Sequence, residues 1–479
     1  MKITLLIPPT SLKKSYGSLK KFSNPQPSIG LAYIASVLEA NGYQVEILDA
    51  YVGQFSLQEI VERLRRSDVV GISSLSSTAD TTYGICEALR KASPKTIIVH
   101  GNLHPSVFPD ESLDGGRRGD YIVHGEGEET FLELCDHLSG RKKTDLSLIR
   151  GISRLRDGRV EKNPPRPFIT ALDALPYPAW HLFDLSKYSS DPRTQTGRGA
   201  KELQILGTRG CPMGCTFCSS RGIRSQGQKY RTRSPENIVA EVRAMHERFG
   251  ATVFSFMDLA FPLVREHAAE FCGLMVESGL SERVRWVSEM RVKSLDAELV
   301  GLMKRAGCAR VCFGIESGND EVLARIGKNF KRSDVIRAVS LCREAGLEAD
   351  GMFMMGLPGE DYARIDETVD LAVGLGLRFA IFNLFVPYPG CDLYDELKAG
   401  GEIRFNEWAD FVSYPSHAGG EPVYVPKGMT KEGLMAKQRE AMRRFYLRGG
   451  FVLQQLRQFR LEHVGHYLSG LKALLFEKG

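Results

Sequence analysis

Over the first 140 residues, apolar and polar positions repeat one rhythm. Short β-branched runs at 3–7, 45–48, 69–72, 96–99 and 121–123 predict strands. Between them, apolar residues recur at helical spacing over 29–39, 57–66, 80–91 and 128–137. Strands alternating with helices predict a doubly wound parallel sheet, which binds ligands at the carboxyl ends of its strands.

Residues 141–200 lose this rhythm. Pro164, Pro165, Pro167, Pro176, Pro178 and Pro192, with a basic glycine-bearing stretch at 193–198, predict a linker. From Glu202 the alternation resumes with longer helices. Strands are expected at 203–206, 253–256, 285–287, 310–313, 351–354 and 379–382, with helices such as 234–249 and 332–345 between them. Ser234, Pro235 and Glu236 mark a helix start, Ser as N-cap and Pro at the first helical position. Beyond residue 400 the strands stop. Val452, Leu456, Phe459, Val464, Leu468, Leu471 and Leu475 give 430–476 an amphipathic helical face. The expected fold class is α/β: a Rossmann-like doubly wound sheet over 1–140, a linker over 141–200, a partial (β/α)6 TIM-like barrel over 201–400, and a helical C-terminal cap over 401–479.

Composition changes this picture little. In 479 residues, 43% apolar and 25% charged content suits a multidomain globular enzyme rather than a disordered chain. No run of 18 apolar residues occurs and no export signal is visible, so a cytoplasmic protein is expected. Charge adds more. Of the net +5, residues 431–479 carry ten Lys and Arg against four Asp and Glu, which leaves the remainder slightly acidic and without a nucleic-acid footprint. Arg443, Arg444, Arg448, Arg457 and Arg460 beside Phe451, Leu456 and Phe459 suit either a cap packed on the barrel or an interfacial helix on anionic lipid, the latter fitting a lipid-like substrate.

Ten cysteines in such a compartment are read as ligands, nucleophiles or core fillers rather than disulfides. Cys211, Cys215 and Cys218 stand as C-x-x-x-C-x-x-C in a loop after a strand. Three thiolates so close together can hold three irons of a 4Fe-4S cluster and leave the fourth open, whereas ferredoxin clusters have four thiolates each. An open iron can bind the amino and carboxylate groups of S-adenosylmethionine (SAM). A zinc site is the competing reading, but structural zinc wants four ligands in paired spacing.

The triplet, with Gly314-Ile315-Glu316-Ser317-Gly318, Gly356-Leu357-Pro358-Gly359-Glu360 and Pro387-Tyr388-Pro389-Gly390, resembles the radical SAM superfamily over nearly the whole chain. The resemblance implies that Phe217 lies near the adenine, unless it is core packing, and that Glu316 reaches the SAM ribose with Ser317 beside it. A carboxylate in an apolar strand is costly unless it binds something. Asp258 stands where relatives often have two acids, as a contact to the SAM amino group or a helix N-cap. Glu289 and Arg291 suit the methionyl carboxylate or a solvated ion pair. Cys391, where relatives often have Thr, is either a second thiol or a buried hydrophobe.

A parallel sheet ahead of such a barrel resembles the cobalamin-dependent branch of that superfamily. No G-x-G-x-x-G follows the first strand, and Gly125-Glu126-Gly127-Glu128 comes late and is acidic, against a dinucleotide site. The branch places a hydroxyl-rich loop after the third strand and a glycine pair after the fourth. Here these are Ser73-Ser74-Leu75-Ser76-Ser77 and Gly101-Asn102, with Asn102 departing from the second glycine. The resemblance thus implies cobalamin contacts from Ser73, Leu75, Ser76, Ser77, Gly101 and Asn102, with Glu126 a further candidate. Glu126 and Glu128 also read as turn and helix-start residues. The loop over 8–24 has no histidine to ligate cobalt, and His104 reads as structural.

The implied activity is methyl transfer to an unactivated carbon of a small-molecule or lipid-like substrate, through a 5′-deoxyadenosyl radical and methylcobalamin, with electrons from a flavodoxin- or ferredoxin-type donor. Ring closure or oxidative rearrangement without net methylation is the alternative, and a cobalamin-binding sensor or carrier is the non-enzyme reading. Methylthiotransferases would need three further cysteines in the front domain, which has only Cys86 and Cys135.

Overall fold

The computed structural model describes residues 1–10, 15–17, 25–188, 200–219, 230–457 and 464–475. The front sheet contains β1 (Lys2–Ile7), β2 (Gln44–Asp49), β3 (Val69–Ser73), β4 (Ile97–Gly101), β5 (Tyr121–Val123), β6 (Ile152–Arg156) and β7 (Arg159–Lys162) in the order β2-β1-β3-β4-β5-β6-β7. Strands β1 to β5 are parallel. Each overlaps an expected strand. The chain reverses its direction of growth between β1 and β3, and this switch point opens a crevice at the carboxyl ends. Helices Ile29–Ala40 and Gly127–Leu138 cover one face through Leu31, Leu38, Phe131 and Leu134. Helices Leu57–Leu64 and Ala79–Ala92 cover the other through Ile60, Leu64, Ile85 and Leu89. Both faces are dry, which is why these strands read as continuous apolar runs.

The expected linker over 141–200 is corrected in part. Strand β6 pairs antiparallel with β5, and β7 pairs with β6. Their apolar signal is hidden by edge charges, because Arg154 and Arg156 both pair with Glu161 at 3.1 Å across the hairpin. Charged side chains are the usual protection of an exposed sheet edge. Pro192 and the basic stretch 193–198 lie outside the described residues.

The second sheet is built from β8 (Glu202–Ile205), β11 (Val253–Phe256), β12 (Arg285–Met290), β13 (Cys308–Glu316), β14 (Glu348–Met355) and β15 (Ala380–Leu384), all parallel and in that order. This is the expected six-stranded partial barrel. Between β8 and β11, β9 (Thr208–Arg209) and β10 (Arg231–Thr232) form a short antiparallel bridge across the neck of the cysteine-bearing loop. Helix Pro235–Phe249 begins where expected, with the Ser234 hydroxyl accepting from the Asn237 amide at 3.2 Å.

Front domain and barrel share one apolar core, since Ala32, Ala79, Tyr83, Trp180 and Phe183 join the barrel's buried cluster. The helix Lys431–Tyr446 buries Leu434, Ala441 and Phe445. Its buried Gln438 amide donates to the carbonyls of Phe382 at 2.8 Å and Ser413 at 2.9 Å. Basic side chains on and just after this helix bond within the protein: Arg443 donates to the Leu474 carbonyl, Arg444 pairs with Asp370, and Arg448 donates to the Leu377 carbonyl, while Arg443 and Arg444 stay exposed. These bonds support the cap reading for these residues. The side chains of Leu456, Arg457, Phe459 and Arg460 lie outside the described set. Among the described residues no helix is long and apolar enough to cross a membrane.

Candidate active site

The three thiols sit on the loop that leaves β9, all half-buried and none in a disulfide. Two neighbours hold this loop. The Thr216 amide donates to the Ile326 carbonyl at 3.0 Å, and the Leu393 amide donates to the Thr216 carbonyl at 3.1 Å. Gly327 makes the first contact possible: at φ +74, any Cβ there would stand 2.6 Å from the Gly214 carbonyl oxygen. Only glycine allows that approach. Among the described residues no three His, Cys, Asp or Glu side chains are gathered tightly enough for one metal ion. The fit to an iron-sulfur cluster rests on donor chemistry: three free thiols on one short loop, each within electrostatic reach of Cys215, and cations nearby. Burial raises the Cys215 thiol above its ordinary value and the Lys328 ammonium opposes the rise.

Lys328 is the site residue that motif reading missed. Its ammonium donates to Glu316 Oε1 and to the Gly314 carbonyl, both at 2.9 Å, and lies 5.5 Å from the Phe217 ring centroid. Its signal in sequence was slight, a lysine after a helix-ending glycine. Glu316 is buried and stands at φ +68, in the left-handed region, where the register of β13 on β14 shifts between Gly314 and Glu316. A bulge with a left-handed residue re-aims a side chain, and this strain is typical of functional positions. Phe217 is half-buried and packs on the barrel core.

The other candidates separate. The Arg291 guanidinium donates to the Asn329 side chain, burial lowers its pKa, and Cys211 and Cys215 pull it back up, so it belongs to the triplet's surroundings. Glu289 is exposed on the carboxyl half of β12, opposite Cys312 in register. Ser317 is fully buried, its hydroxyl 3.2 Å from that of Thr368 and 3.5 Å from Glu360. Glu360 in turn accepts from the amides of Gly356 and Leu357 at 2.8 and 2.9 Å, locking two motifs together. Asp258 is corrected as a helix cap, since Val264 stands at that position of the following helix. Its buried carboxylate accepts from the Gly207 amide at 3.0 Å and from the Thr208 hydroxyl, and so braces the entry to the cysteine loop. Burial raises it to about 7. Cys391 is a buried cap, its sulfur accepting from the Tyr394 amide at 3.3 Å, and burial raises its thiol to about 11. That argues against a catalytic thiol.

At the carboxyl ends of the front sheet, Leu75 is 45% exposed on a turn closed by Thr78, whose hydroxyl accepts from the Leu75 amide at 3.2 Å and donates to its carbonyl at 3.0 Å. Ser76 lies 3.1 Å from His104 Nδ1, and His104 Nε2 lies 2.8 Å from the Tyr83 hydroxyl. Burial lowers His104 to about 4, so it stays neutral and structural. Ser77 is half-buried beside Ser76. Asn102 stands at φ 81 and ψ −169, a backbone region essentially reserved for glycine. Its amide donates to the Ser73 hydroxyl at 2.9 Å and its side-chain oxygen accepts from the Leu103 amide at 2.8 Å. Asn102 thus takes a backbone conformation that glycine ordinarily supplies. A Cβ on Gly101 would meet nothing nearer than 3.9 Å, so the chain's own packing does not require glycine there. An open cradle beside an uncovered Leu75 fits the flat face of a corrin. Glu126 does not face it. Its carboxylate accepts from Arg231 at 2.8 and 2.9 Å and from the Ile169 amide at 2.9 Å, which supports the reading as a structural turn residue.

Comparison with known proteins agrees with this geometry. Residues 205–372 match the family model of the radical SAM superfamily and residues 18–135 that of the B12 binding domain. The chain belongs to the radical SAM superfamily, in the branch that carries a B12-binding domain, and is an enzyme of that class. An uncharacterised methyltransferase of Pyrococcus horikoshii is 30% identical over 98% of this chain and 96% of its own. Cytidylyl-2-hydroxyethylphosphonate methyltransferase of Streptomyces wedmorensis is 30% identical over 78% of each chain. The solved structure of TsrM from Kitasatospora setae, a radical S-adenosylmethionine methyltransferase with cobalamin and a [4Fe-4S] cluster bound, superposes with a TM-score of 0.71 over 92% of this chain and 90% of that one. At 18% identity that likeness is one of fold.

Proposed function

We propose that this chain is a cobalamin-dependent radical SAM methyltransferase acting on an unactivated carbon of a small molecule. The observation that carries the reading is the pairing, in one chain, of a three-thiol loop beside a buried Glu316–Lys328 ion pair with an open, uncharged cradle at Gly101 and Leu75. Matches to methyltransferases over 98% and 78% of this chain support it. When bound, the cluster and SAM supply the radical that removes a substrate hydrogen, and cobalamin supplies the methyl group.

The chain's residues do the rest. Cys211, Cys215 and Cys218 would hold the cluster by three irons. Glu316, aimed by its bulge and held by Lys328, would accept from the SAM ribose, and Arg291 beside the triplet would pair with the methionyl carboxylate. Phe217 would pack on the adenine. Leu75, Ser76 and Ser77 would pack against the corrin, and Gly101 and Asn102 would leave room for its nucleotide tail. A flavodoxin- or ferredoxin-type protein would supply electrons.

The test is product stoichiometry. After anaerobic reconstitution with iron, sulfide and cobalamin, each methylation should yield one S-adenosylhomocysteine and one 5′-deoxyadenosine. Turnover that yields 5′-deoxyadenosine without S-adenosylhomocysteine would overturn methyl transfer in favour of ring closure or rearrangement. Full cobalamin loading with no bound iron would instead favour a sensor.

A further inference from the structure

The acidic turn after β5 belongs to the front domain, yet its two carboxylates grip the barrel at one place. Glu128 accepts from Arg209 at 2.5 Å, and Glu126 lies 3.4 Å from the same guanidinium. Glu126 also takes both terminal nitrogens of Arg231, at 2.8 and 2.9 Å, and Arg231 donates to the Ile169 carbonyl at 2.6 Å. Arg209 and Arg231 face each other in the β9–β10 bridge. Arg209 is two residues before Cys211, and Arg231 is where the chain returns from the cysteine-bearing loop. All four side chains are largely buried, at 13%, 10%, 14% and 5% exposure for Arg209, Arg231, Glu126 and Glu128. The Arg209 guanidinium also lies over the Tyr33 ring of the front domain, 5.1 Å from its centroid.

We propose that Glu126 and Glu128 are positioning residues for the cysteine triplet: from the front domain they pin the entry and the exit of the loop that holds it. The inference rests on the reading of the triplet as the cluster site. Its physical basis is that the loop's own short bridge pairs only two residues on each strand. An isolated two-stranded pairing of that length is not stable by itself in water. Buried arginine–carboxylate pairs, the one between Arg231 and Glu126 bidentate, supply the direction and strength it lacks. Removing the carboxylates leaves two buried guanidinium groups without a counter-charge, and opening the neck is the cheapest way to rehydrate them. The domain that carries the cobalamin cradle thereby sets the position of the loop across the barrel mouth.

The experiment compares the full-length wild type, Glu126→Gln/Glu128→Gln, and Glu348→Gln. The last removes the ion pair with Arg378 at the opposite, amino-terminal end of β14 and serves as a salt-bridge loss remote from the triplet. Two rates are read: removal of iron from reconstituted protein by a ferrous chelator, and modification of Cys211, Cys215 and Cys218 by a thiol reagent in the iron-free protein, followed by peptide mass mapping. Melting temperature and cobalamin retention are recorded beside them. The double variant should lose iron and label the triplet at least about tenfold faster than wild type, since truncating a buried charge pair shifts a local equilibrium by that much or more. Glu348→Gln should match wild type in both. Wild-type rates in the double variant overturn the proposal, and so do rates that rise in both variants in proportion to lost thermal stability. If the wild type takes up no iron, the cluster reading fails by itself, and the labelling rates still decide whether the carboxylates pin the loop.

Discussion

The carboxyl ends of the two sheets face the same chemistry with different side chains. On the front sheet the exposed turn is neutral: Ser73, Ser76, Asn102 and His104 bond to one another or to their neighbours, and Leu75 and Gly101 leave an uncharged surface. At the barrel mouth the residues around the triplet are charged: Lys328, Glu316 and Arg291, with Arg209 and Arg231 at the neck. A large flat ligand is held mainly by shape and apolar contact, and each charge buried against it would carry a desolvation cost. A small zwitterionic one is held by directed charge-assisted bonds. The contrast predicts that steric changes harm the front site and charge changes the barrel site.

The largest expected effect separates the two outright. Cys215→Ala should abolish SAM cleavage and cluster loading while cobalamin retention stays as in wild type, measured by iron content and visible spectra of the same sample. Loss of both cofactors together would erase the distinction. Next comes Gly101→Leu, whose Cβ meets nothing within 3.9 Å in the protein itself. It should weaken cobalamin binding by about tenfold or more and shift the melting temperature by no more than about 2 °C. Titration of the apoprotein with cobalamin checks this, and unchanged affinity would show that the crevice is not the corrin's place.

Charge is tested at Lys328. Lys328→Met leaves Glu316 buried without its cation and should raise the SAM concentration needed for half-maximal cleavage by about tenfold, or ~1.4 kcal/mol. Lys328→Arg should recover part of it. An unchanged KM for SAM would remove Lys328 from the site.

The smallest effect is in stability. Burial raises Glu360 to about 7, whereas in the unfolded chain it ionises near ~4.3. Between these values the unfolded chain releases a proton that the folded chain keeps. Stability should therefore fall as pH rises from ~4 to ~7 and level off above. Glu360→Gln removes this group's slope and should flatten the curve by roughly 2 kcal/mol between about pH 5 and pH 7. The parallel contribution of Asp258, also raised to about 7, remains in that variant. Denaturant midpoints at several pH values measure it, and equal slopes for wild type and variant would contradict the burial of an uncharged Glu360.

Legibility in the sequence followed how local each signal is. All eleven parallel strands were marked by short, mainly apolar runs, β-branched in the front sheet, because a strand covered on both faces must be largely apolar. The hairpin β6–β7 was not, because an edge strand carries charges that suppress that pattern. Asp258 shows the other limit. Its place at the end of β11 was readable, but its bonds to Gly207 and Thr208, some 50 residues earlier in the chain, were not. Cys391 likewise could be singled out, while its burial as a helix cap could not.

What residue order determined by itself was the architecture and the donor set: two α/β units in series, three thiols at a fixed spacing, a carboxylate in an apolar strand, and a small-residue loop beside Gly101. These are properties of neighbours along the chain, where period and spacing act directly. Only the tertiary structure decided the partners. Lys328 reaches Glu316 across a bulge, and Glu126 and Glu128 reach Arg209 and Arg231 from another domain. Whether a charged side chain serves a ligand or another residue depends on what burial brings opposite it, and that is set by packing between segments 12 to 105 residues apart.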